Sequence, residues 1–319
     1  EIVRPAADVH WLWGVCTLVR RRAADLVLVG AVLPHGAAAW LASFLTRTPY
    51  VVICHGLDLR NALRVRRKRF LARRVLQRAA LVIANSAATA TIAQTAGAPS
   101  DRLVIVLPPV GVTPAQLPEG AVADLRSSHA LHGVRIVLSA GRLVARKGFD
   151  VFLCAMADVL RTHPDALPVI VGDGPERETL ATLGDQLGVP VRWIPDARDA
   201  ESAAWFALCD VFVLLPQELP NGDVEGFGIV YLEAGAFGKP VVGTRSGGVP
   251  EAVIDGTTGI LVPPGDVGAT ADAIRQLLDD PTLASRLGAA GAQRVRDEFL
   301  PESFARRLRA ALERVCALQ

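Results

Sequence analysis

The sequence predicts an α/β protein built from two doubly wound, Rossmann-like domains of parallel sheet, and three observations carry that reading. Its 319 residues, at about 150 residues per domain, suffice for two domains that each enclose a core. Short β-branched runs alternate with alanine- and leucine-rich helical stretches along the whole chain, as parallel strands joined by helical crossovers require. Charge is also divided. Residues 1–120 carry 15 Lys and Arg against 6 Asp and Glu, and residues 121–319 carry 19 against 26, which gives the halves net charges of +9 and −7. The prolines at 108, 109, 114 and 118 and the polar stretch 126–129 mark the junction. We therefore place a first domain at 1–128 and a second at 129–301, facing across a cleft, with a final helix at 302–319 expected to return to the first.

In the first half, Leu26–Val29 reads as a strand, 37–46 as a helix and Tyr50–Ile53 as a strand. A long cationic helix over 61–78 leads to strand Leu81–Ala84, a helix at 87–96 and strand Leu103–Leu107. The second half repeats the pattern. Strands are expected at 135–139, 169–171, 191–194, 211–215, 241–243 and 260–262, with helices between them and only helices after them. Ligands of such sheets sit beyond the carboxyl ends of the strands, so the informative residues belong in strand-to-helix loops.

Composition excludes several classes. With 51% apolar and 21% charged residues the chain reads as globular. Its longest apolar stretch, 26–45, is broken by Pro34, His35 and Gly36, and reads as strand, turn and helix instead of a membrane span. Five scattered cysteines, at 16, 54, 154, 209 and 316, form no CxxC pair and suggest reduced thiols in a cytoplasmic protein, with neither disulfides nor a metal site. The chain opens at Glu1 without an initiator Met, and a preceding N-terminal piece is expected.

The sharpest signal runs from Asp223 to Ala234: an acidic loop, the glycines Gly226 and Gly228, then a helix. Free N–H groups of a first helical turn suit a phosphate. Glu225 and Glu233, eight residues apart, suit hydroxyl donors on either side of such a phosphate, because an ionised carboxylate accepts two hydroxyls at once. Taken singly, each Glu also fits a helix-dipole or solvated role. The segment Gly141–Asp150 (GRLVARKGFD) follows a strand and offers Arg142 as a planar fork and Lys147 as a point charge, the two ways of neutralising a diphosphate; a solvated basic loop is the alternative. His55 sits beside Gly56 at a strand end in the first half. The turn Gly172-Asp173-Gly174-Pro175 suits close backbone approach by a planar base, and it lacks the register of a nicotinamide dinucleotide site. Finally, 60–78 carries nine cations beside a stripe of Leu63, Phe70, Leu71, Val75 and Ala79. It reads as a solvated face, a nucleic-acid patch or a surface for anionic lipid or an acidic acceptor, with Arg64, Arg67 and Arg74 as candidates; scarce aromatics disfavour single-stranded nucleic acid.

These residues resemble the retaining GT-B glycosyltransferases of the fourth sequence family, which includes the phosphatidylinositol mannosyltransferases. The family's motifs occur in order: Gly141–Asp150, Val171–Glu176 (VGDGPE), the Glu-x7-Glu of Glu225–Glu233, and Ser246–Glu251 (SGGVPE), with Asn85-Ser86 earlier. The bacterial mannosyl- and glucosyltransferase branch is the most similar. The resemblance implies transfer of a hexose, from GDP-mannose or a UDP-hexose, to a hydroxyl acceptor such as a lipid or cell-envelope glycan, with retention and without a metal or other cofactor. It implies that Arg142 and Lys147 neutralise the diphosphate and that Glu225 holds sugar hydroxyls. The Phe227, Gly228 and Ile229 amides lie near sugar and phosphates, Glu233 holds the ribose, and His55 touches the transferred sugar. The implied location is cytoplasmic, peripheral on the inner face of the plasma membrane through 60–78, with no nucleic-acid partner. The family also has a first strand and Gly-rich loop, about sixty residues by the strands a full sheet needs, that this chain does not contain. A catalytically silent sugar-nucleotide-binding fragment is therefore the alternative. Two further departures are Trp193-Ile194-Pro195-Asp196, where the family often has Phe-Leu-Gly, and 108–113, which lacks the family's aspartate.

Overall fold

A computed structural model describes residues 10–197 and 199–316. The chain forms two compact units, Glu1–Leu107 with Ala305–Gln319, and Pro108–Phe304.

In the first unit, strands β1 (Val27–Val29), β2 (Tyr50–Cys54), β3 (Leu81–Ala84) and β4 (Leu103–Ile105) pair in parallel in sequence order. Among the described strands this is one winding direction of a doubly wound sheet. Tyr50, Val51, Val52 and Cys54 of β2 and all of β3 are buried, the unbroken apolar pattern of strands covered on both faces. Ala39 from the helix Ala37–Thr46 and Ala72, Val75 and Leu76 from the helix Arg66–Arg78 complete the core.

The cationic segment departs from expectation in two ways. It is two helices, Leu57–Leu63 and Arg66–Arg78, separated where Val65 turns extended (φ −112°, ψ 123°). The guanidinium of Arg69 reaches back to the Leu63 carbonyl through Nε at 3.0 Å and Nη2 at 2.7 Å, which satisfies the end of the first helix. Phe70, expected on the packed stripe, is 61% exposed; Ala72, Val75 and Leu76 form the buried face.

The second unit holds β5 (Arg135–Ala140), β6 (Ala166–Val171), β7 (Arg192–Ile194), β8 (Val211–Val213), β9 (Val241–Thr244) and β10 (Ile260–Val262). They are all parallel, in the order β10-β9-β8-β5-β6-β7. The winding reverses between β5 and β8, and that is where a doubly wound sheet opens a crevice at its carboxyl edge. The boundary drawn from sequence at 128/129 moves to 107/108. Proline density and charge mark a change of composition, but packing decides membership: the helix Ala121–Ser128 lies against the helix Asp199–Leu208, and the Val110 amide donates to the Phe299 carbonyl at 2.8 Å.

The loops at the carboxyl edge approach too closely for side chains. Gly148 has φ +67°, and a Cβ there would lie 2.0 Å from the Leu215 carbonyl oxygen; Gly188 has φ +65° with open space around it. These glycines share a backbone conformation and differ in their neighbours. Gly188→Ala is expected to cost about 1 kcal/mol, the left-handed penalty alone, and Gly148→Ala about 3 kcal/mol or more because backbone must also move. Urea unfolding of both variants checks this, and equal losses would refute the close approach.

Candidate donor site at the switch point

Four loops at the carboxyl edge of the second sheet are tied together by backbone. After β5, the Gly141 amide donates to Val171 at 2.9 Å and the Leu143 amide to Asp173 at 3.0 Å, while Leu143 accepts from Glu176 at 3.2 Å. The same loop meets the segment after β8, where Leu215 donates to Lys147 at 3.3 Å and Gln217 to Arg146 at 2.9 Å. The turn after β9 joins too: Gly248 donates to the Glu225 carbonyl at 3.1 Å. A Cβ on Gly247 would lie 2.2 Å from that carbonyl oxygen. The Ser246-Gly247-Gly248 motif thus buttresses the Glu225 loop from behind.

This framework brings charges together. Lys147 Nζ lies 2.6 Å from Glu225 Oε2, and Arg146 Nη1 donates to the same oxygen at 2.8 Å; Arg146 Nε also faces Asp223 Oδ2 at 3.6 Å. The Lys147 and Glu225 side chains are each only 12% exposed. Burial raises the affinity of Glu225 for a proton, but the adjacent Lys147 and Arg146 outweigh it and hold the carboxyl below its ordinary range. Arg142 is exposed and has no ion-pair partner among the described residues. Sequence reasoning singled out Arg142 and Lys147 and missed Arg146. The short 3-10 turn Ala145–Lys147 is what turns two consecutive cations toward one carboxylate, and adjacency alone does not reveal it.

Glu233 has a different environment. It lies in the helix Ile229–Ala236, which begins after Gly228 (φ +93°); a Cβ on Gly228 would lie 2.7 Å from the Tyr231 ring. Burial pushes the Glu233 carboxyl up to about 7, opposed by the backbone amides of Val112 and Gly111 and by Lys147. A Cβ on Gly111 would sit 2.9 Å from Glu233 Oε1. The segment 108–113, placed from sequence in the first domain, is therefore the partner of the second glutamate.

The remaining residues sort by neighbour. The close approach that demands glycine at Gly172 and Gly174 is made by the protein itself: their Cβ atoms would lie 2.2 Å from the Gly141 carbonyl oxygen and 2.4 Å from that of Leu143. Phe227 is buried against Phe299 with ring centroids 6.0 Å apart, and Ile229 is exposed at the start of its helix. In the first unit His55 is exposed beyond β2, its amide donating to Asp58 Oδ1 at 3.0 Å while Asp58 Oδ2 accepts from Val32 at 3.1 Å. Arg64, Arg67 and Arg74 are exposed there as well. Among the described residues, no three His, Cys, Asp or Glu are grouped as metal ligands, and no helix is long and apolar enough to cross a membrane.

Residues 2–109 match a glycosyl transferase 4-like domain, and residues 123–294 match glycosyl transferases group 1. A GDP-mannose-dependent alpha-(1-6)-phosphatidylinositol monomannoside mannosyltransferase of Mycolicibacterium smegmatis is 44% identical over 177 residues, 54% of this chain and 46% of that protein. A GDP-mannose-dependent monoacylated alpha-(1-6)-phosphatidylinositol monomannoside mannosyltransferase of Corynebacterium glutamicum is 36% identical over 202 residues, 63% of this chain and 52% of that protein. The chain thus spans about half the length of the curated relatives it matches. Among solved structures, HepE of Anabaena in complex with UDP has a TM-score of 0.82 at 23% identity, covering 95% of this chain and 81% of that one. Sucrose-phosphate synthase of Thermosynechococcus elongatus has 0.80 at 24%, covering 97% and 78%. These likenesses establish the GT-B fold, and because the group 1 match spans more than half of its length, the chain belongs to the glycosyl transferases group 1 family.

Proposed function

We propose that the second unit binds a nucleotide diphosphate sugar and that the protein transfers the hexose to a hydroxyl acceptor with retention. The observation that carries this reading is the cluster of Lys147, Arg146 and Glu225 at the switch point, with Glu233 one helix further on. The mannosyltransferase relatives, named GDP-mannose-dependent, favour GDP-mannose as donor and a lipid-borne hydroxyl as acceptor. In this reading Lys147 and Arg142 neutralise the diphosphate, Glu225 accepts sugar hydroxyls and Glu233 accepts ribose hydroxyls. The bond from anomeric carbon to phosphate oxygen breaks as the acceptor oxygen bonds to that carbon on the same face. The acceptor proton passes to the departing phosphate. Cations in place of a metal stabilise the leaving group. In the first unit, the exposed Phe70 beside Arg67 and Arg74 supports a role for this segment at an anionic interface.

Calorimetry with GDP, UDP, GDP-mannose and UDP-glucose tests the donor assignment. Charge-assisted contacts worth roughly 2 kcal/mol imply that Arg142→Gln and Lys147→Gln each weaken nucleotide-sugar binding about thirtyfold. Glu233→Gln is expected to weaken GDP and GDP-mannose alike, and Glu225→Gln only the sugar conjugate. His55→Ala is expected to depress transfer while nucleotide affinity stays. Binding of no nucleotide by the wild type would overturn the reading; donor binding without turnover would favour the silent sugar-nucleotide-binding protein. A further expectation is that excess EDTA leaves transfer unchanged, and metal-dependent turnover would contradict the proposed role of the cations.

Glu233 also makes binding depend on pH. Hydroxyl donors require the carboxylate, which is fully formed only above about 7. Affinity for a nucleotide sugar, whose phosphodiesters do not titrate here, is expected to rise by up to tenfold per pH unit below 7 and to level off above it, with proton release on binding. In the unliganded protein the sign is opposite. A carboxyl whose proton is held more tightly when folded adds stability at low pH that is lost as pH rises through about 7. Glu233→Gln should flatten the binding profile; a profile unchanged by that variant would contradict the assignment.

A further inference from the structure

A cavity of about 770 Å³ lies in the first unit, far along the sheet from His55. Tyr50 opens β2, Ala80 precedes β3 and Arg102 precedes β4, so these lining residues place it at the amino-terminal edge of the sheet, whereas His55 follows the carboxyl end of β2. Its volume is in the range of small-molecule sites, about 300–1,000 Å³. Trp40 and Phe44 supply apolar surface, and Arg47, Arg74, Arg78 and Arg102 line it with no carboxylate among the lining residues. Asp101 faces Arg102 at 3.8 Å from outside the lining, with its side chain 79% exposed to water.

Three of the four arginines are held in place. Arg78 donates from Nε to Ser43 Oγ at 3.2 Å, and its guanidinium lies 4.0 Å over the Phe44 ring. Arg102 donates from Nη1 to the Ala79 carbonyl at 3.1 Å, and Arg74 lies 5.0 Å over Phe70. A guanidinium stacked on a ring keeps its in-plane N–H groups free to fork onto an oxyanion. Arg47 ends the helix Ala37–Thr46 at φ +59°, a left-handed helix-end position that glycine normally fills. The chain there tolerates backbone strain and carries a guanidinium at the cavity.

Four like charges around one concavity repel each other unless an anion joins them, and the fork geometry of arginine matches phosphate oxygens. We propose that this cavity binds a phosphate group, as a monoester or diester, at a site separate from the nucleotide-sugar site of the second unit.

The test titrates the full chain in 0.15 M salt, where diffuse surface attraction is damped, with inorganic phosphate, with glycerol 3-phosphate, and with phosphatidylcholine vesicles lacking or containing phosphatidylglycerol. Fluorescence of Trp40, assigned by comparison with Trp40→Phe, reports binding. Saturable binding is expected to weaken at least tenfold in Arg47→Gln/Arg74→Gln and to stay within twofold in Arg161→Gln/Arg192→Gln, which makes the same charge change on exposed residues of the second unit, outside both the cavity and the 60–78 segment. Arg47→Gly should weaken binding while the melting temperature holds or rises, which separates loss of the site from loss of the fold. Saturation by the soluble phosphates identifies a free ester as ligand, and saturation by phosphatidylglycerol vesicles alone identifies a lipid headgroup. No saturable binding to any probe, or equal losses in the two double variants, would overturn the proposal. Calorimetry of Arg47→Gln/Arg74→Gln with GDP-mannose tells the two sites apart: unchanged donor affinity leaves the second-unit reading intact whatever the phosphate result.

Discussion

A carboxylate cannot be buried without partners, and the edge of the second sheet is organised around that constraint. Glu225 is shielded from water yet remains ionised because Lys147 and Arg146 both reach one of its oxygens. Those cations reach it only because the loop after β5 curls through a 3-10 turn and is bonded to the segment after β8. The curl in turn requires Gly148, and the Glu225 backbone requires Gly247 and Gly248 behind it. One charge cluster thus explains why four loops, separated by up to about a hundred residues, approach at distances only glycine permits.

The two glutamates illustrate how one helix and its entry loop prepare different chemistry from the same functional group. Glu225 is surrounded by cations and is a permanent acceptor. Glu233 is set by burial, which raises its proton affinity, against the neutral amides of 111 and 112 and the more weakly acting Lys147, and its charge at neutral pH is balanced on a small difference. Environments that push like groups apart are the usual means of assigning them distinct roles. Here they make Glu225 insensitive to pH in the neutral range and leave Glu233 responsive, so two carboxylates eight residues apart are prepared differently.

Alternation of apolar runs with helical stretches made the two parallel sheets legible, because strands such as Leu81–Ala84 are buried on both faces and carry no polar interruption. The strand-to-helix loops were legible for the same reason, and Glu225, Glu233 and Lys147 all lie at the carboxyl edge of the second sheet or in the helix beyond it. What escaped depended on three-dimensional neighbours. Arg146 gains its partner from a turn 79 residues away in sequence. The break at Val65 is specified by Arg69 folding back, a contact invisible to periodicity. Gly172 and Gly174 have the right composition for a ligand turn, but the backbone that crowds them is the protein's own. The 108–128 segment reads from sequence as part of the first domain because proline and charge report solubility and stiffness, not which core the segment joins.

The charge asymmetry read first from composition has a structural counterpart. The cationic excess of the first half is not spread evenly: part of it lies on the outer face of Arg66–Arg78 beside the exposed Phe70, and part converges on the cavity under Trp40 and Phe44. Arginine on an open face contributes little to stability and is tolerated anywhere. Arginine stacked on a ring and tied to a serine hydroxyl has surrendered its conformational freedom, which folding alone gives little reason to do. A second unit that concentrates acceptors and a first that concentrates fixed cations are therefore suited to different ligands, and the ordering of the arginines, more than their number, is what separates a binding site from a solvated surface.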